Sequence, residues 1–187
     1  CSMNQTVETV FPDIAIPSPT YSVAQAPDKD IYIGTESNGL YIYSENWKLK
    51  KHVPIDGIIA TILPDNNGDI WLGLDETGIC LFNKNKQTFT WLHKDNTNLN
   101  NNSIRTFVSY GDSSILVGTF RGLNILNKKE LTITPANINI AGKGGLSHYS
   151  IHSMLIDKDQ TLWIGTYSAG VNYHSPFYRP VSYITPN

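Results

Sequence analysis

The chain is poor in several things that would each point to a class of protein. Only two cysteines, Cys1 and Cys80, occur in 187 residues, too few for a disulfide framework. Cys80 alternates with apolar neighbours and reads as a small core residue. Cys1, followed by Ser2 and a polar leader, reads either as the lipid-carrying first residue of a mature bacterial lipoprotein or merely as the first residue of this stretch. Lys and Arg show no excess, and the net charge of -2 argues against a nucleic-acid partner. No run approaches the roughly 18 apolar residues of a membrane-spanning helix, and none resembles a secretory signal. These 187 residues are therefore expected to be soluble and to make no membrane contact themselves. Nowhere do apolar residues recur at i, i+3, i+4, i+7, so no helix is predicted.

What the chain does have is one phrase said four times. Ile31-Tyr32-Ile33-Gly34-Thr35 leads to Gly39-Leu40-Tyr41-Ile42-Tyr43, and Ile70-Trp71-Leu72-Gly73-Leu74 leads to Gly78-Ile79-Cys80-Leu81-Phe82. Ile115-Leu116-Val117-Gly118-Thr119 leads to Gly122-Leu123-Asn124-Ile125-Leu126, and Leu162-Trp163-Ile164-Gly165-Thr166 leads to Gly170-Val171-Asn172-Tyr173. Gly34, Gly73, Gly118 and Gly165 are 39, 45 and 47 residues apart, by difference of their numbers. A period of roughly 40–50 residues marks a repeat architecture.

Each unit reads as four strands. The first (Tyr21–Ala26, Gly57–Leu63, Ser103–Ser109, Ser150–Ile156) ends in a turn rich in Asp, Asn and Gly, whose side chains cap their own backbone. The second is the apolar phrase, buried on both faces, and the third starts at the second glycine. The fourth (Trp47–Val53, Gln87–Leu92, Leu131–Pro135, Tyr178–Ile184) is polar and variable, as an outer edge strand should be. Four antiparallel strands per repeat describe an all-β fold of β-propeller blades. Residues 1–20 read as an extended leader or leftover strand, followed by blades at about 21–56, 57–100, 101–148 and 149–187 in one domain. The longest connections, Lys94–Asn102 and Asn137–His148, join blades and are candidate ligand loops.

The wording of the fourth copy, Ser150-Ile151 … Asp157-Lys158-Asp159-Gln160-Thr161-Leu162-Trp163-Ile164-Gly165-Thr166 … Gly170-Val171-Asn172-Tyr173, resembles the two-component regulator propeller repeat. Leu99-Asn100-Asn101-Asn102-Ser103-Ile104-Arg105 and the closing Tyr173-His174-Ser175-Pro176-Phe177-Tyr178-Arg179-Pro180 are similar to the same family. The resemblance covers about residues 21–180, with Leu116 replacing the tryptophan in the third copy. It implies a periplasmic sensor region of a Bacteroidetes hybrid two-component system, placed ahead of a membrane helix, a histidine kinase and a response regulator that control polysaccharide-utilisation genes. Full propellers of the family have about seven or more blades, so four imply a partial ring. An open arc exposes the apolar faces of its end blades. The expected partner is therefore a second copy completing a ring as a homo-oligomer, or the rest of the sensor propeller.

For chemistry the sequence offers little. Trp71 and Trp163 read as packing between blades, and Trp47 and Trp91 as edge aromatics on outer strands. His148 and His152 lack a third ligand, and Asp157-Lys158-Asp159 reads as a hairpin turn rather than a calcium loop. There is no Gly-x-Ser-x-Gly and no Cys/His pair. No catalytic residue, metal or cofactor is assigned, although Glu36, Asp75 and Glu76 are acids at solvent-facing turns. The residues Glu36, Asp75, Phe120, Arg121 and Tyr167 follow the second strand at one blade corner and form the candidate ligand rim. Such a rim suits an oligosaccharide, and it equally suits plain solvation. Two functions remain open: a non-enzymatic sensor module detecting or scaffolding the detection of glycan-derived signals, or a propeller enzyme such as a lyase of the streptogramin-inactivating type or a carbohydrate-active enzyme.

Overall fold

The structure is a computed structural model that describes residues 15–136 and 145–175. It contains four antiparallel sheets, and no helix occurs among the described residues. The first sheet is β1 (Thr20–Gln25), β2 (Ile31–Thr35), β3 (Leu40–Tyr43) and β4 (Leu49–Val53). The second is β5 (Ile59–Pro64), β6 (Asp69–Leu74), β7 (Gly78–Asn83) and β8 (Thr88–Leu92). The third is β9 (Ile104–Tyr110), β10 (Ser114–Thr119), β11 (Gly122–Asn127) and β12 (Thr132–Pro135). The fourth comprises β13 (Ile151–Ile156), β14 (Leu162–Thr166) and β15 (Val171–His174). The expected last strand Tyr178–Ile184, residues 1–14 with Cys1, and most of the Asn137–His148 connection lie outside the described residues.

Strands pair with their sequence neighbours in every sheet. The first strands adjoin in succession, β1 with β5, β5 with β9 and β9 with β13, so the sheets fan out from them as blades around an axis. No comparable contact joins β13 to β1. The result is an open arc of propeller blades.

Between the blades lie three apolar layers, one for each pair of neighbours. Tyr32, Leu40 and Ile42 of the first blade meet Leu72, Cys80 and Phe82 of the second. Trp71 and Ile79 meet Phe107, Val117 and Leu126. Leu116 and Leu123 meet Ile151 and Ile164. Cys80 belongs to this packing, and burial pushes its thiol up to about 12. The glycine of the repeated phrase is explained by the same layers. A Cβ on Gly34, Gly73 or Gly118 would come within 2.6, 2.5 or 2.6 Å of the Cγ2 of Ile59, Ile104 or Ile151, the residue that opens the next blade. Each glycine is the socket for the next blade's isoleucine.

Polar clasps add to the layers. Lys84, at the end of the third strand of blade two, donates to Asp28 at 2.7 Å and to Asp30 at 2.8 Å in the first hairpin of blade one. Asp30 is buried and also meets Lys50. Lys128 repeats the contact one blade later, reaching Asp65 at 3.0 Å.

Three expectations need correction. Trp163 is not a packing residue like Trp71, because it lies on the outer face of the fourth blade, where the described residues place no further sheet. It is 40% exposed, against 1% for Trp71. Trp47 is not on an outer strand but in the turn before β4 at φ +59°, with its ring 6.2 Å from that of Tyr43. The two ends of the arc also differ. Leu155, Val171 and Tyr173 are exposed with Trp163 on the last blade, whereas on the first Val23 is exposed but Tyr41 and Tyr43 are buried.

Candidate functional site

The corner after each second strand is built the same way four times. The backbone N–H of Glu36 donates to the carbonyl of Pro19, that of Asp75 to Ile58, Phe120 to Ser103 and Tyr167 to Ser150, all at 2.9–3.0 Å. In three blades the threonine closing the strand adds a side-chain bond. Thr35, Thr119 and Thr166 each donate Oγ1 to the carbonyl of the glycine that opens the third strand, at 2.8, 2.9 and 3.0 Å. These fixed corners hold the predicted rim residues at equivalent places, one blade apart.

A second repeated feature bears on the same corner. Each first strand carries a β-bulge beside its start, which leaves Tyr21, Ala60, Arg105 and His152 without a partner across the sheet. A bulge interrupts the alternation of faces and re-aims the extra side chain. Two bulge residues make contact with rim residues. Arg105 Nη1 lies 3.4 Å from Asp75 Oδ2, an ion pair between the second and third blades. The ring of His152 stacks 6.0 Å from that of Tyr167, and His148 stands 6.5 Å from Tyr167 and 4.4 Å from Tyr149.

Asp75 is the most constrained member of the rim. Its Oδ1 is buried and has no hydrogen-bond partner among the described residues. A buried carboxylate oxygen without a donor is uncommon and costs stability. Phe120, Arg121 and Tyr167 are exposed and Glu36 is half-buried. Among the described residues, no hydrogen bond, ion pair or ring contact links any two of the five predicted residues directly. The structure instead couples Asp75 to Arg105 and Tyr167 to the two histidines. Arg105 and His152 were missed as rim residues, although a signal was available. Thr20-Tyr21-Ser22, Ile59-Ala60-Thr61, Ile104-Arg105-Thr106 and Ile151-His152-Ser153 each set one chemically variable residue between a β-branched residue and a hydroxyl.

The asparagine-rich connection plays a different part from the ligand loop expected. Asn96 and Asn102 accept from the backbone N–H groups of His93 and Lys94, both at 2.8 Å, and Asn101 accepts from that of Ser103 at 2.9 Å. Asn100 Oδ1 accepts from Asn124 Nδ2 at 2.8 Å, and the Asn100 backbone N–H donates to Asn124 Oδ1 at 3.2 Å. The asparagines are spent on holding the loop. Asp157 likewise caps its own turn, accepting from the N–H groups of Asp159 and Thr161 at 2.9 and 3.0 Å.

The fold thus defines a repeat protein, an arc of β-propeller blades with a polar and aromatic rim on one corner. The repeat itself is of a known kind: residues 145–168 match the model of the family described as Two component regulator propeller. Among solved structures, the extracellular domain of the putative hybrid two component system BT3049 from B. thetaiotaomicron is 29% identical over 82% of this chain, with a TM-score of 0.63. The corresponding domain of BT4673 from the same organism is 21% identical over 82% of the chain, with a TM-score of 0.67. This chain spans only about a fifth of either domain, 20% and 21%. The computationally designed Ika4 protein shares the fold at 10% identity and a TM-score of 0.65, and 99% of that chain is covered. No curated protein sequence matches. The chain is thus similar to the extracellular domain of a putative hybrid two component system and carries one matched copy of the regulator-propeller repeat.

Proposed function

We propose that the chain is a non-enzymatic part of a periplasmic sensor, in a larger protein that carries a histidine kinase, and that its rim takes an oligosaccharide. The observation that carries this reading is the partly exposed Asp75–Arg105 pair on the rim, with the exposed Tyr167 on the same corner two blades away. The guanidinium of Arg105 donates to sugar hydroxyls, the paired Asp75 Oδ2 accepts from them, and the tyrosine offers an aromatic face to the C–H side of a ring. Engagement of Asp75 by Arg105 also favours recognition over acid–base work by that residue. Pairing of two arcs through the open face around Trp163 forms part of the same proposal, and light scattering after size exclusion checks it: a mass that stays at one chain at micromolar concentration removes it.

The ligand claim is tested by calorimetry with a library of plant and host oligosaccharides, with product analysis alongside. Binding that weakens at least tenfold in Arg105→Ala and Tyr167→Ala, with the glycan recovered intact, is expected. Turnover of a glycan contradicts the sensor reading, and a library without a binder contradicts the glycan.

A further inference from the structure

A second opening lies away from the rim, at the outer edge of the first inter-blade layer. It has a volume of about 360 Å³ and is lined by Pro54, Ile55, Asp56, Thr77, Phe89 and Trp91. Its origin is a difference in chain length between blades. The connection from β8 to β9, residues 93–103, carries Leu99 into the layer between blades two and three, and Ile133 on the outer strand there is buried. The connection from β4 to β5, residues 54–58, is shorter. The matching outer strand carries Phe89 and Trp91, which remain 43% and 36% exposed. Phe89 pairs with Phe82, as Ile133 pairs with Leu126, so the two positions correspond.

We infer that this cleft is a carbohydrate subsite that takes one pyranose ring. Phe89 and Trp91 are alternate residues of β8, on one face and about 7 Å apart along the strand, a platform of the length of a sugar ring. Asp56 and Thr77 supply acceptors at its edge, and a few polar groups over an apolar floor are the usual composition of a small-ligand pocket. The charge around the platform disfavours the other natural guest of an aromatic–carboxylate cleft, an organic cation. Phe89 is stacked on Phe82 at 5.0 Å, and the Lys51 ammonium already lies 5.8 Å over the Phe82 ring. Thr77 belongs to the turn that begins with Asp75, and its Oγ1 donates to the Asp75 carbonyl at 3.3 Å. The cleft therefore lies along one turn from the rim, and a chain of several sugars can reach both. The cleft deepens the glycan reading but is tested apart from it.

The test uses the intact chain and neutral methyl glycosides of glucose, galactose, mannose and xylose, titrated to millimolar levels while the Trp91 indole N–H signal is followed by NMR. At least one glycoside shifts that signal saturably. Phe89→Ala abolishes saturable binding, Asp56→Asn weakens it several-fold, and Arg105→Ala leaves it unchanged. Circular dichroism confirms that each variant folds. The inference fails if no glycoside shifts the signal, if Asp56→Asn and Thr77→Val both leave the titration intact, or if N-acetyl-arginine amide titrates the cleft in their place. Loss of cleft binding in Arg105→Ala also overturns it as a separate subsite. Failure of the rim variants to affect oligosaccharides, by contrast, bears only on the rim.

Discussion

Trp71 and Trp163 hold the same place in the second and fourth copies of one phrase and have opposite surroundings. Trp71 is buried against the third blade, and its indole Nε1 has no hydrogen-bond partner among the described residues. Trp163 lies open, its ring 5.5 Å from Tyr173 and its Nε1 donating to Asp157 Oδ2 at 2.8 Å. The aspartates differ in the same sense. Asp65 holds in blade two the place that Asp157 holds in blade four, but it faces Lys128 of the next blade instead of an indole. Where a following blade is present, the carboxylate is drawn across to its lysine and the tryptophan becomes packing. Where none is described, the carboxylate turns back and ties the tryptophan to its own hairpin. One motif has two states, and the neighbour selects between them.

The largest effect that can break this comparison is Trp71→Ala, which empties a sealed layer and costs about 3–5 kcal/mol; urea unfolding followed by circular dichroism reads it. Next come the glycine sockets. Gly73→Ala forces a methyl group against Ile104 and Thr61 and costs about 1–3 kcal/mol. Gly165→Ala meets only the side chain of Ser153 at close range, which can turn away, and costs less. Equal midpoint shifts for these two variants would remove the socket explanation.

Lys84→Ala is third. It leaves the buried Asp30 with Lys50 alone and costs about 1–3 kcal/mol, whereas Lys128→Ala costs less, because its partner Asp65 keeps 20% exposure against 3% for Asp30. The clasp also has a pH signature. The hydrogen bond from Lys84 holds the Asp28 carboxyl below its ordinary 3.8, so its contribution is present above that pH and is lost as the solution is acidified further. Burial pushes the Lys84 ammonium down, but the hydrogen bonds it donates to Asp28, Asp30 and Tyr32 outweigh it and hold it above 10.5. Its contribution is full below that pH and is lost at higher alkalinity. Stability of the parent measured across pH should therefore fall at both extremes more steeply than that of Lys84→Ala. Parallel profiles would show that the clasp contributes nothing.

Much of the fold was legible because its signals are local. Glycines at fixed spacing, Asp and Asn at hairpin turns and apolar second strands give the four blades to within a residue or two at most strand ends. The fate of Trp163 was not legible, because a strand carries the same letters whether or not another sheet covers it. Trp47 misled for a related reason: it precedes a strand but sits in the left-handed turn that starts it, as do Gln87 and Leu131 in the next two blades. Of the rim, the shared corner was legible from the repeat. Arg105 and His152 were not, because a bulge lies in the register between two strands and only the run of variable residues betrays it. The cleft under Trp91 depends on one connection being shorter than another, which is visible only once both are folded.

The most direct test of the two-state reading compares Trp71→Ala and Trp163→Ala in protein dilute enough to be monomeric, with unfolding free energies from urea titration at neutral pH. The account predicts that Trp71→Ala costs at least about 2 kcal/mol more than Trp163→Ala, the difference between emptying a sealed layer and trimming an exposed ring. Equal costs for the two would contradict it.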